Sequence, residues 1–127
     1  MISLSRGFKS LLGLVKRRTA GSLRNSLRGL GYVAAHEEAV RVELALLVVL
    51  TPLALWLGDS PLERLLLVAS AVLVILVELL NTAIELALDR FSRSHHPLAG
   101  AAKDIGSAAV LLTMLLFLLV WGVLLSS

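Results

Sequence analysis

The chain has 127 residues, 57% of them hydrophobic, and a mean hydropathy of +0.89. Soluble globular domains carry about 45–50% apolar residues, so this composition indicates an integral membrane protein and argues against a soluble domain. With no cysteine, the chain has neither disulfide bonds nor thiolate metal sites. The formal charge of +3 hides a basic N-terminal segment, for which we expect membrane lipid, and not nucleic acid, to be the partner.

Residues 1–36 are predicted to form a cytoplasmic, basic, amphipathic segment that lies along the membrane surface. At about 100° per residue, leucines and arginines of this segment separate onto two faces of a helix. The apolar face carries Leu23, Leu27 and Leu30, and the basic face carries Arg17, Arg24 and Arg28. Such a helix suits a leaflet with anionic headgroups. The alternative is an ordinary basic tail that only orients the protein. The first apolar block begins too late for a secretory signal peptide.

Three apolar blocks follow, at residues 42–58, 61–80 and 105–126. The first has about the minimum length for a helix that crosses a hydrocarbon core of about 30 Å, and the other two are longer. A short turn at 58–61 makes the first two spans a helical hairpin, and a polar connector at 89–104 precedes the third. We therefore predict an all-α membrane protein, with one amphipathic surface helix and three transmembrane helices in a single domain.

Basic residues predict the orientation of these spans. Seven lysines and arginines lie within residues 1–36, ahead of the first span, and the long connector contributes Arg90, Arg93 and Lys103. The short turn offers only Arg64, which Asp59 and Glu63 offset. Because cytoplasmic loops carry the excess of basic residues, the N-terminus and the connector are predicted to be cytoplasmic. The C-terminus is then on the opposite side.

Three polar residues interrupt the second apolar block on one side of its helix. Glu78, Asn81 and Glu85 are spaced by three and four residues, and Asp89 continues the same stripe. An ionised carboxylate within hydrocarbon costs about 3 kcal/mol even on lenient scales, so Glu78 needs a partner, a proton or a cation. Alternatively, Glu85 and Asp89 merely end the span at the interface, and Glu78 and Asn81 only hydrogen-bond a neighbouring helix.

The predicted topology gathers the unusual polar residues into one layer at the cytoplasmic boundary. Besides the stripe on the second span, this layer contains Glu37, Glu38, Arg41 and Glu43 at the start of the first span, and Lys103, Asp104 and Ser107 at the start of the third. Carboxylates with a lysine suggest a divalent cation and a phosphate-bearing ligand. No P-loop and no soluble-kinase motif set is present. The residues alone thus predict an acidic, cation-binding site at the cytoplasmic membrane surface.

Two stretches of the chain carry a more specific resemblance. "ELLNTAIELALDR" followed by "HPLAGAAKDIGSAAVLL" strongly resembles the small prokaryotic diacylglycerol kinase family, which are trimeric integral-membrane lipid kinases. The stretch "NSLRGLGYVAAHEEAVRVE" at 25–43 is similar to the family's surface helix and first-span entry. Without gaps, the likeness covers about residues 16–125.

The resemblance implies transfer of the ATP γ-phosphate to the free hydroxyl of diacylglycerol, which gives phosphatidate. It implies Glu78 as the catalytic base and Glu37 and Glu85 as ligands of Mg²⁺. The implied ATP-binding residues are Arg18, Asn25, Glu37, Asn81, Glu85, Ser94, His95, His96, Lys103 and Asp104. The implied lipid-binding residues are Arg18, Arg41, Trp56, Arg64, Ser107 and Trp121. A homotrimer with sites shared between protomers, in the bacterial inner membrane, is the expected assembly.

Two other functions stay open at this point. An undecaprenol kinase on the same scaffold also carries "NTAIE" and "HPLA", whereas "DR" and "DIGSAAV" favour the diacylglycerol branch. A non-enzymatic bundle that conducts ions or protons through Glu78 would need neither Lys103 nor Asp104. Ser94 and Asn25 depart from residues common in relatives of the lipid kinases, which weakens the expected adenine contacts.

Overall fold

The computed structural model describes residues 2–91 and 97–127, with side chains from residue 5 onward. These residues form four helices, α1 (Ile2–His36), α2 (Glu38–Leu57), α3 (Pro61–Phe91) and α4 (Pro97–Ser126). Within this part of the chain there is no strand. By length and composition, α2, α3 and α4 are each able to cross a membrane. The prediction of an all-α protein with one N-terminal helix and three spans is confirmed.

The chain divides into two compact units, the first reaching Glu38 and the second covering Ala39–Ser127. The first unit is essentially α1, which has no acidic residue and continues without a break through its glycines. Its last turn is closed by a hydrogen bond of 2.7 Å from the Glu37 amide to the Val33 carbonyl. The ring of His36 stacks on that of Tyr32, with 4.1 Å between the ring centroids.

In the second unit, a tight turn joins α2 to α3 because its residues cap both helices. The Gly58 amide donates to the Ala54 carbonyl at the end of α2. At the start of α3, the Ser60 hydroxyl oxygen accepts a hydrogen bond from the Glu63 amide at 3.1 Å, and the Glu63 carboxylate accepts one from the Asp59 amide at 3.0 Å. This reciprocal arrangement resembles a capping box and fixes where α3 begins. The predicted helical hairpin is therefore present.

The turn end of the second unit is held by a small apolar core. Ala54 of α2, Leu67 of α3 and Trp121 of α4 are buried against one another. The indole Nε1–H of Trp121 donates to the Leu67 carbonyl oxygen at 3.0 Å. A buried indole nitrogen requires an acceptor, and this bond supplies one while it ties α4 to α3. Within this unit, α3 and α4 make the most extensive contact between two helices.

The helices extend further than the apolar blocks suggested. α3 continues to Phe91, eleven residues beyond the predicted span, and α4 starts at Pro97, eight residues before it. The predicted connector at 89–104 is thus helical at both of its ends. Hydropathy falls where side chains meet water, whereas backbone hydrogen bonding continues through polar residues with good helix propensity. With 31 residues, α3 is about 46 Å long and exceeds a hydrocarbon core of about 30 Å.

We expect Trp121→Phe to lower the stability of the folded protein by about 1 kcal/mol, because the change removes one buried hydrogen bond and keeps most of the aromatic volume. Thermal unfolding in detergent would measure this effect. Trp56→Phe is the matched control, since Trp56 is 80% exposed and its loss should leave the midpoint unchanged. Equal midpoints for the two variants would contradict a stabilising role of the Trp121 bond.

Candidate functional site

The polar stripe predicted for the second span lies on α3 and is half-buried for most of its length. Glu78, Asn81 and Glu85 are partly buried, and Asp89 is exposed. The amide Nδ2 of Asn81 donates to Glu85 Oε1 at 3.3 Å. Residues four apart lie on the same face of a helix, so the spacing of Asn81 and Glu85 in the sequence explains this hydrogen bond.

A second carboxyl group, from α2, joins this stripe. The Glu43 carboxyl group lies next to that of Glu78, close enough for the two groups to interact directly. Three side-chain oxygens at this place, Oε2 of Glu43, Oε2 of Glu78 and Oδ1 of Asn81, are buried and have no hydrogen-bond partner among the described residues. Buried polar groups are rarely left without a partner unless a ligand, water or ion serves them. These oxygens are therefore available to hydrogen-bond a polar ligand, a water molecule or an ion.

Glu43 belongs to the polar layer predicted from the sequence, but it was not predicted as a site residue. The signal was present in the hairpin itself. Residues 43 and 78 are almost equally distant from the turn that begins α3 at Pro61. In an antiparallel hairpin with a tight turn, positions equidistant from the turn lie at the same depth. A paired reading of the two spans would have identified Glu43.

α4 approaches the polar stripe of α3 closely at a glycine, Gly106. Gly106 is buried, and a Cβ atom at this position would collide with Oδ1 of Asn81. The absence of a side chain therefore lets α4 approach the Asn81 amide closely. The close approach explains why a small residue is required here, within the stretch "AKDIGSAAV".

The basic residue of the site comes from the first turns of α4. The Lys103 ammonium Nζ donates to Asp89 Oδ1 at 2.6 Å, and it is also attracted by the charge of Glu85. Both side chains of the Lys103–Asp89 pair are partly exposed, so this bridge contributes little to stability and can open for a ligand. Asp104 and Ser107, next on α4, are exposed.

Beside the acidic stripe lies a cavity of about 200 Å³ between α2, α3 and α4. Its wall consists of apolar side chains, among them Leu47, Ile75 and Phe117, and of the single carboxyl side chain of Glu43. A cavity that is apolar along its length and acidic at one end suits an amphiphilic molecule.

Three predicted lipid-binding residues lie near the turn end, far from the stripe. Fourteen residues of α3 separate Arg64 from Glu78, which corresponds to about 21 Å along the helix axis. Arg64 Nε donates to the Gly58 carbonyl at 3.1 Å, and Trp121 is buried in the core of that end. Trp56 is 80% exposed there. At the other end, Arg41 is exposed on the first turn of α2.

The remaining predicted residues belong to the first unit or fall outside the description. Arg18 and Asn25 are exposed on α1, and Glu37 is partly buried just after its end. Ser94, His95 and His96 lie outside the described residues, so the expected contacts at these positions stay predictions.

Within the described part of the chain, no three histidine or acidic side chains are grouped so that they could hold a metal ion alone. Mg²⁺ in phosphoryl-transfer enzymes is usually bound by one or two carboxylates, with the phosphates of the substrate and water completing its shell. Glu85, which is partly buried and held by the Asn81 amide, fits this sparse kind of site as one of its carboxylates. The described residues do not fit a metal cage made by protein side chains only.

Sequence matches with known proteins cover the helices that carry these residues. The sequence model of the prokaryotic diacylglycerol kinases matches residues 24–125. The chain is 41% identical over 101 residues to the diacylglycerol kinase of Haemophilus influenzae, which covers 80% of this chain and 86% of the relative. It is 40% identical over 102 residues to that of Escherichia coli K12, with 80% and 84% covered.

A third relative extends the match toward the N-terminus. The diacylglycerol kinase of Pseudomonas aeruginosa is 40% identical over 118 residues, which is 93% of this chain and 94% of the relative. The polar stripe, the glycine contact and the Lys103 bridge all lie inside the matched region. The chain belongs to the prokaryotic diacylglycerol kinase family.

Proposed function

We propose that this protein is an ATP-dependent diacylglycerol kinase that forms phosphatidate at the cytoplasmic membrane interface. The single observation that carries the proposal is the buried Oε2 of Glu78, which has no hydrogen-bond partner among the described residues. The other side chains of this helix are mostly apolar, so an unpartnered carboxyl oxygen is available to accept a hydrogen bond from a polar group of a ligand. The names of the three relatives support diacylglycerol as the acceptor lipid.

Glu78 is the catalytic base in this proposal. The hydroxyl proton of diacylglycerol passes to the Glu78 carboxylate, the hydroxyl oxygen bonds to the γ-phosphorus of ATP, and the bond from that phosphorus to the bridging oxygen breaks to release ADP. A base must lie within hydrogen-bond reach of the proton that it accepts. The adjacent apolar cavity with Glu43 at its acidic end supports a lipid that enters beside Glu78.

Asn81 positions the neighbouring acid. Its Nδ2–H holds the Glu85 carboxylate, while its Oδ1 stays available to the substrates. Glu85, together with Glu37, would hold Mg²⁺, whose charge neutralises the phosphates of ATP. Phosphoryl transfer depends mainly on positioning and charge neutralisation, so a few fixed polar groups suffice.

The nucleotide and the lipid are bound by residues around this centre. Lys103 would leave Asp89 and pair with a phosphate, which its exposed position allows. The other proposed nucleotide contacts are Arg18, Asn25, Glu37, Asn81, Glu85, Ser94, His95, His96 and Asp104. The proposed lipid contacts are Arg18, Arg41, Trp56, Arg64, Ser107 and Trp121. Near the turn end, the exposed Trp56 and Arg64 would contact lipid tails or neighbouring lipids, since about 20 Å separates them from the base. Trp121 is buried there and would act on the lipid only through the packing of that end.

The assembly that we propose is a homotrimer in the bacterial inner membrane, with sites shared between protomers. In this proposal the N-terminus is cytoplasmic and the C-terminus lies on the opposite side, an orientation that the distribution of basic residues favours. Many large apolar side chains on α2 and α4 are exposed in the single chain. Lipid covers part of this surface, and neighbouring protomers would cover the rest.

The proposed acceptor is tested by offering two lipids to the purified protein. With ATP labelled at the γ-position and Mg²⁺ in mixed micelles, we expect label to enter diacylglycerol far faster than undecaprenol. The related kinases compared above all carry the first activity in their names. Faster labelling of undecaprenol would overturn the acceptor, and ATP turnover independent of any lipid would overturn the reaction class.

Glu78→Gln is expected to lower turnover at least about 100-fold, because the amide keeps the shape of the side chain and loses the base. The labelled transfer assay measures turnover, and thermal unfolding verifies that the variant folds. Glu63→Gln is a matched control on the same helix, since glutamine also serves at this capping position. Near wild-type turnover of the Glu78 variant would contradict its role as base.

Gly106→Ala is expected to reduce activity because the new methyl group displaces the Asn81 amide, and overpacking of this kind costs about 1–3 kcal/mol. The dependence of the rate on ATP concentration should show a raised KM, since Asn81 holds Glu85. Gly122→Ala, on the same helix, has no atom within 4 Å of the added group and should behave as wild type. Equal kinetics for both variants would show that the close approach does not position Asn81.

A further inference from the structure

Two carboxyl groups from different helices face each other beside the apolar cavity, although the proposed reaction uses only one of them. Glu78 of α3 is the proposed base, whereas Glu43 of α2 has no role in the steps described above. The two groups lie close enough to interact directly. An acid of this kind beside the base needs an explanation of its own, because apolar surroundings tolerate an ionised group poorly.

The two carboxyl groups lack a hydrogen-bond donor at their buried oxygens. Oε2 of Glu43 and Oε2 of Glu78 have no partner among the described residues. An ionised carboxylate only accepts hydrogen bonds, so two ionised groups at this place would repel each other without bonding. When one proton is present, the first group donates and the second accepts, and the pair carries one negative charge instead of two.

The charged side chains nearby are engaged elsewhere or exposed. Those at this end of the second unit are Arg41, Glu85, Asp89, Arg90, Lys103 and Asp104. Lys103 donates to Asp89, and Glu85 accepts a hydrogen bond from Asn81. The other three of these side chains, two arginines and one aspartate, are exposed. A shared proton satisfies Glu43 and Glu78 without any of these groups.

The cavity indicates which of the two groups carries this proton. Glu43 is the single carboxyl side chain in the cavity wall, where its neighbours include Leu46, Leu47 and Phe117. Apolar surroundings of this kind favour the neutral form of an acid. Glu78 lies instead on the polar stripe of α3, so the negative charge of the pair belongs there.

We infer that Glu43 is a positioning residue, a neutral acid that donates a hydrogen bond to the carboxylate of the base Glu78. The inference rests on the proposed kinase reaction, in which Glu78 accepts the hydroxyl proton of the lipid. A carboxylate has about four lone-pair sites, so one bond from Glu43 fixes its orientation and leaves other sites for the hydroxyl. Glu43 keeps its own proton throughout, and the balance of the transfer is unchanged.

Infrared spectroscopy of the purified protein tests where the proton lies, and it needs neither ATP nor diacylglycerol. The C=O stretching band of a protonated carboxyl group is separate from the bands of carboxylates and peptide groups. A maltoside detergent without ester groups keeps lipid carbonyl bands out of this region, and exchange into heavy water shifts a carboxyl band. Spectra of Glu43→Gln, Glu78→Gln and the control Glu63→Gln are compared with that of the wild-type protein at neutral pH.

We expect a protonated-carboxyl band in the wild-type protein that Glu43→Gln removes. Glu78→Gln should keep this band at a shifted frequency, because Glu43 stays neutral in its apolar surroundings. Glu63→Gln should leave the band unchanged, since the Glu63 carboxylate accepts the Asp59 amide at the distant turn. Absence of the band from the wild-type spectrum, or a band that survives Glu43→Gln, would overturn the inference.

Turnover in the labelled transfer assay distinguishes a positioning role from a purely structural one. Glu43→Gln should keep most of the wild-type kcat, because its amide N–H donates in place of the carboxyl O–H. Glu43→Ala should lower kcat about 10- to 100-fold, as the loss of one hydrogen bond to a charged group implies, and should leave the KM for ATP nearly unchanged. Equal kcat values for these two variants, together with an inactive Glu78→Gln, would overturn the role of Glu43 and leave the proposed reaction intact.

Discussion

A carboxyl group inside an apolar helix bundle is the constraint on which the rest of this structure depends. Glu78 and Glu43 meet between α2 and α3 with oxygens that the described protein does not satisfy. Because hydrocarbon offers no hydrogen bonds, such groups are tolerated only where they face one another, water or a ligand. The turn between the two helices fixes their relative depth, so the capping residues near Ser60 indirectly determine where the acids meet.

The third helix of the bundle is attached to α3 at two distant points with different chemistry. Near the turn, Trp121 donates to the backbone of Leu67. At the polar end, Gly106 lies against Asn81. The first contact stabilises the bundle, whereas the second brings Lys103 and Asp104 to the same layer as the acids. Two contacts this far apart fix the rotation of α4 about its own axis. The apolar packing along the middle of the helix then does not have to determine that rotation.

Hydropathy and helix periodicity predicted the all-α architecture, the hairpin and the polar stripe from the sequence. Each of these features follows from local spacing, such as the three- and four-residue steps that join Glu78, Asn81 and Glu85. The true ends of α3 and α4 were not predictable in this way, because a helix continues past the point where its side chains become polar. Glu43 was missed for another reason, since its partner lies on a different helix and is found only when the two spans are paired.

The roles of single residues were the part least accessible to sequence. The family resemblance places Trp121 at a lipid-binding position, yet its indole is buried and donates a hydrogen bond to the Leu67 carbonyl within the bundle. A tryptophan near the end of an apolar span is equally typical of an interface anchor and of a core, and only its neighbours distinguish the two. Glu37 and Glu85 belong to different units of the chain, so their proposed partnership rests on family resemblance and chemistry.

The length of α3 has a consequence for how the reaction is supplied. If its polar end lies at the membrane boundary, as proposed, a diacylglycerol molecule would meet the proposed base Glu78 with its tails still among the neighbouring lipids. The lipid would then stay in its leaflet, and the free-energy cost of exposing two acyl chains to water would be avoided. ATP would reach the site by diffusion through water, whereas diacylglycerol would reach it by lateral diffusion within one leaflet. When diacylglycerol is scarce, its lateral diffusion would then limit the rate of the reaction.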